Sequence, residues 1–77
     1  MTMSRKRALG RLQGRVPEVE RHLAKIAENP EHSSVDKWKS EVRNWLREME
    51  EVLPHVGKKT AAGLKASIDG YRAALEA

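Results

Sequence analysis

Apolar residues return at alternating steps of three and four in three separate stretches of this 77-residue chain. That spacing lines one face of an α-helix. The first stretch is Leu9, Leu12, Val16, Val19, Leu23 and Ile26. The second is Val35, Trp38, Val42, Trp45, Met49 and Val52, widened by Leu46 and Leu53. The third is Leu64, Ile68, Tyr71 and Leu75. No strand-like alternation of useful length interrupts them. An all-α fold follows, and the expected architecture is a small three-helix up-down-up bundle.

The breaks between stretches carry their own chemistry. Asn29-Pro30 stops the first helix, because the residue before a proline is pushed out of the α region. Ser33 or Ser34 suits the cap of the second helix, and Asp36 suits its first turn. Pro54 ends that helix near Leu53, Gly57 supplies the tight turn, and Thr60 is an expected N-cap for the third. Connections this short favour antiparallel neighbours. The expected helices span 17–28, 34–53 and 61–76. The second has the widest stripe and should lie centrally, with Trp38 and Trp45 in the core.

The start of the first helix is a contest. The heptad runs back to Leu9, but Pro17 in a helix interior costs ~3 kcal/mol, and Gly10 and Gly14 about 1 kcal/mol each. Burying Leu9, Leu12 and Val16 returns roughly 1.5–3 kcal/mol apiece. The sums are close. The expected division is a kinked or fraying basic extension over 1–16 and a bundle domain over 17–77.

Charge sharpens that division. Arg5, Lys6, Arg7, Arg11 and Arg15 are unopposed by any acid up to residue 15, while the rest of the chain holds ten basic and eleven acidic residues. The formal net charge of +4 therefore sits in the N-terminal arm. A localised basic arm suits an anionic partner, nucleic acid or an acidic protein surface, and equally a merely solubilising end.

Other classes find little support. There is no cysteine, hence no disulfide and no thiolate zinc site. His22, His32 and His55 lack metal-ligand spacing and read as surface or loop residues. Ser33 and Ser34 are explained by capping. Glu48, Glu50 and Glu51 read as a solvated face, with Arg47 placed to pair with Glu51. No enzyme, cofactor, metal or small-molecule substrate is expected. No apolar run is long enough for a membrane span, and the basic N-terminus lacks a secretory apolar region, so a cytoplasmic protein is expected.

The stretch LPHVGKKTAAGL, residues 53–64, holds the most specific signal. A phosphate loop of the G-x-x-x-x-G-K-[ST] type fits poorly: Val52 stands where the first Gly belongs, the Thr is one position late, and a helix precedes. The stretch instead resembles the helix-hairpin-helix motif of Holliday-junction branch-migration proteins, through Leu53, Pro54, Val56, Gly57, Lys58, Lys59, Thr60, Ala61 and Leu64. The resemblance is local: these nine residues match within a stretch of 12 positions. It implies sequence-independent DNA binding through phosphates, with Gly57, Lys58, Lys59 and Thr60 at the contact and Val56 turned inward. Two departures matter. His55 replaces the family's first hairpin Gly, where a left-handed backbone would be strained. One copy is present, where family members commonly pair two.

Two readings stand. One is a non-catalytic module binding DNA phosphates through Gly57, Lys58, Lys59 and Thr60 together with Arg5, Lys6, Arg7, Arg11 and Arg15. The other is a helical protein-interaction or homodimerisation module, antitoxin- or adaptor-like, in which residues 53–64 are only a bend. The three-four spacing, shared with coiled-coil seams, suits the second.

Overall fold

The computed structural model describes residues 4–76. Within them lie three α-helices, α1 (Arg5–Glu28), α2 (Val35–Val52) and α3 (Lys58–Glu76), and one 3₁₀ turn, Leu53–His55. Each helix packs against the other two, and the 3₁₀ turn touches all three. The Cα envelope measures 42 × 22 × 15 Å. Among the described residues no helix is long and apolar enough to cross a membrane.

The first helix is the main correction to the sequence reading. It begins at Arg5, twelve residues before the expected start at Pro17, and runs through Pro17 to Glu28. Ser4 caps it, its Oγ accepting from the Arg7 N–H at 3.2 Å. The reason is burial. Ala8 and Leu12 are fully buried, and Leu9 and Val16 pack half-buried against the same core. Apolar contact therefore outweighs the proline and the two glycines. Residues 4–16 belong to the bundle; residues 1–3 lie outside the described residues.

The other ends fall close to their expected places. Asn29 leaves the helical region with φ −133° and ψ 58°, as a residue before proline must. At the start of α2, Ser34 occupies the cap position but its hydroxyl makes no capping hydrogen bond. Its N–H donates instead to Nδ1 of His32 at 3.0 Å. Pro54 sits inside the 3₁₀ turn that closes α2.

The core is formed by Ala8, Leu12, Val19, Val42, Leu46, Met49, Val56, Ile68 and Leu75. The tryptophans are not at its centre. Trp45 is half-buried at the edge, its ring under the Arg15 guanidinium at 5.4 Å and edge-on to His22 at 4.6 Å. Trp38 lies outside the core cluster, stacked on His32 at 4.8 Å with Lys25 Nζ 5.6 Å from its ring. The stripe of α2 is thus centred on Val42, Leu46 and Met49, and the indoles take the flank, where cations from α1 meet their faces.

Polar pairs fix the register of α1 on α2. His22 Nε2 lies 3.0 Å from Glu41 Oε2. Arg15 Nη2 lies 3.7 Å from Glu48 Oε2. Seven residues back along α1 are seven forward along α2, so these two helices run in opposite directions. Arg72 ties α3 to α2 through Glu50 at 2.8 Å.

Candidate nucleic-acid interface

The turn after α2 is built by local bonds. The Val56 N–H donates to the Leu53 carbonyl at 3.2 Å, and Val56 itself is extended and buried in the core. The next helical bond is Ala61 N–H to the Gly57 carbonyl, 2.8 Å. Gly57 is therefore the cap of α3. The N–H groups of Lys58, Lys59 and Thr60 precede that first bond and have no intrahelical acceptor. They carry the positive end of the helix dipole.

Three expectations for this stretch are revised. Thr60 is not the cap: it stands in the first turn of α3, exposed, because the helix starts three residues earlier than expected. Gly57 has no positive φ, so the turn does not require glycine. A Cβ there would meet nothing within 4 Å, so the space above this backbone is open. His55 also avoids the left-handed region, and the strain expected from it is absent.

The basic residues divide into two groups. Arg5, Lys6, Arg7 and Arg11 are exposed on the first turns of α1, as are Lys58 and Lys59 on α3. Among the described residues none of these six side chains has a carboxylate within ion-pair distance. Arg15 differs. It donates to Glu18 at 2.6 Å, approaches Glu48 and covers Trp45. Arg15 thereby ties α1 to α2, with Glu18 and Glu48 beside its charge.

The two basic groups share one end of the molecule. A groove of about 620 Å³ brings Gly10, Arg11 and Gly14 of α1 against Glu48, Glu51 and Val52, the last turn of α2. The turn that follows Val52 contacts α1 as well and leads directly into Lys58. Two helix N-termini, those of α1 and α3, thus sit at this end. Neither has an acidic residue in its first turn. Each carries cations where the dipole favours anions, an arrangement that costs about 0.3–1 kcal/mol per charge.

Several side chains acquired partners that sequence did not show. Arg47 bonds Asn44 at 3.2 Å rather than pairing with Glu51. Glu48 and Glu50 engage Arg15 and Arg72. His22, read as a surface residue, is largely covered, and its Nδ1 is buried without a partner. The register that pairs 22 with 41 and 15 with 48 was the available signal, since both pairs sum to one constant. Among the described residues no cluster of three or more His, Asp or Glu could hold a metal ion. No family model, curated protein or solved structure matches the chain.

Proposed function

We propose that the chain is an up-down-up three-helix bundle that binds DNA without sequence preference, gripping phosphates at its basic end. The observation that carries this reading is the meeting of two cation-bearing helix N-termini at that end. Arg5, Lys6, Arg7 and Arg11 flank one, and Lys58 and Lys59 flank the other. Both are electrostatically unfavourable in isolation, and a bound polyanion relieves both.

The chemistry divides by residue. Lys58 and Lys59 attract phosphate by charge, the N–H groups of residues 58–60 donate to its oxygens, and the Thr60 hydroxyl adds a further donor. The open space over Gly57 admits close approach. Arginines of α1 reach a neighbouring phosphate. None of these groups reads a base edge, so affinity is salt-dependent and indifferent to sequence. This resembles the helix-hairpin-helix mode, with α1 supplying the second contact that proteins with that motif commonly obtain from a second hairpin.

The test is binding to two labelled duplexes of unrelated sequence. Affinities within about threefold of each other, both lost on Lys58→Glu/Lys59→Glu, are expected. No binding to either at low salt would leave a protein-interaction bundle as the reading.

A further inference from the structure

We propose that Glu51 is a further determinant of anion binding at the basic end, one that opposes it: its carboxylate weakens the grip of Arg11 on phosphate. The inference rests on the phosphate reading and adds a residue to it. Its starting point is the last turn of α2, which carries Glu50 and Glu51 and no basic residue. A helix C-terminus bears the negative end of the dipole, so carboxylates there cost stability.

The neighbouring acids have partners that offset this cost. Glu48 lies 3.7 Å from Arg15, and Glu50 accepts from Arg72 at 2.8 Å. Glu51 differs. It is exposed and, among the described residues, has no cation within ion-pair distance. Its charge holds no helix to another.

Position supplies a role. The antiparallel register that pairs His22 with Glu41 and Arg15 with Glu48 sets Arg11 level with Val52, next to Glu51. Arg11 and Glu51 line the same groove of about 620 Å³. The groove is open along α1, since a Cβ at Gly10 or Gly14 would meet nothing within 4 Å. A phosphate drawn in by Arg11 therefore comes up beside a carboxylate, and Arg11 is itself attracted to that carboxylate. Like charges about 4 Å apart in water repel by an amount worth about fivefold in affinity. A Debye length of about 10 Å at ~0.1 M salt screens that repulsion only in part.

The test is the affinity of the full chain for a labelled duplex at ~50 and ~200 mM salt, with Glu51→Gln made alone and together with Arg11→Gln. Glu31→Gln makes the same change of net charge at an exposed position at the opposite end of the bundle and is the control. Circular dichroism checks that every variant remains helical. Glu51→Gln should bind about fivefold more tightly than wild type at ~50 mM salt, with a smaller gain at ~200 mM. Glu31→Gln should change affinity by less than about twofold, and Glu51→Gln should gain less than about twofold in the Arg11→Gln background. Equal gains for Glu51→Gln and Glu31→Gln would reduce the effect to net charge and overturn this inference alone. A full gain in the Arg11→Gln background would overturn the part assigned to Arg11. No binding by wild type at ~50 mM salt would overturn the phosphate reading and this inference with it.

Discussion

Glu41 of α2 accepts a hydrogen bond from Nε2 of His22 on α1 at 3.0 Å, while Nδ1 of the same ring lies buried with no partner among the described residues. In the neutral ring, Nε2 facing a carboxylate carries the proton, which leaves Nδ1 a bare acceptor. A buried polar atom left unsatisfied costs about 1–3 kcal/mol. Replacing His22 by Leu removes that cost, and the partly exposed Glu41 regains water. His22→Leu is therefore expected to be neutral or to stabilise by about 1 kcal/mol, and Glu41→Ala to destabilise by about 1 kcal/mol, in urea unfolding. A loss above about 2 kcal/mol for His22→Leu would contradict this account.

The burial of Leu12 gives a second prediction. At 1% exposure it belongs to the core although it precedes Pro17. Leu12→Ala should cost about 2–5 kcal/mol in chemical denaturation, as truncation of a buried leucine does. A fraying arm would give a change near zero.

Lys58 and Lys59 set function against stability. Each stands in the first turn of α3, exposed and without an acidic partner. Reversal of either to Glu removes one unfavourable charge and adds one favourable one, and should raise the unfolding free energy by about 0.6–2 kcal/mol at low ionic strength. The gain should shrink as salt screens it. Destabilisation by both reversals would mean that the dipole argument fails at this end.

Tyr71 predicts an alkaline limit. Burial pushes its phenol above the ordinary value of 10.0, and the Glu20 carboxylate pushes the same way. The folded state then holds the proton that the unfolded state gives up. This contribution to stability is complete below pH 10.0 and is lost as pH rises through the folded value. Between pH 8 and pH 11, roughly, urea midpoints of wild type should fall more steeply than those of Tyr71→Phe. Parallel profiles would show that the phenol carries no such linkage.

How much of this was legible depended on whether the governing rule was local. The prolines at 30 and 54 act on their immediate neighbours by steric exclusion, so the helix ends beside them could be read directly. The start of α1 could not, because it rests on Ala8 and Leu12 finding a core that other helices supply. Spacing told which side of α2 the tryptophans occupy but not their depth. Depth follows from Arg15, His22, Lys25 and His32, which reach them from α1 and the loop. The same holds for the candidate site. Lys58 and Lys59 were visible as a motif, and Glu18 stands three residues from Arg15, whereas the approach of Arg15 to Glu48, thirty-three residues away, and to Trp45 follows from packing. A hydroxyl suits a helix cap, which points to Thr60, yet Gly also serves at that position and Gly57 does so here.

The most direct test of phosphate binding is the salt dependence of affinity. A labelled duplex is titrated by fluorescence anisotropy between ~50 and ~200 mM salt, with wild type and Lys58→Ala/Lys59→Ala compared. If all six exposed cations contact phosphates, the logarithmic slope should approach about −5, and the double variant should flatten it by nearly two units. Absence of binding at ~50 mM salt, or a slope that the two substitutions leave unchanged, would contradict the account.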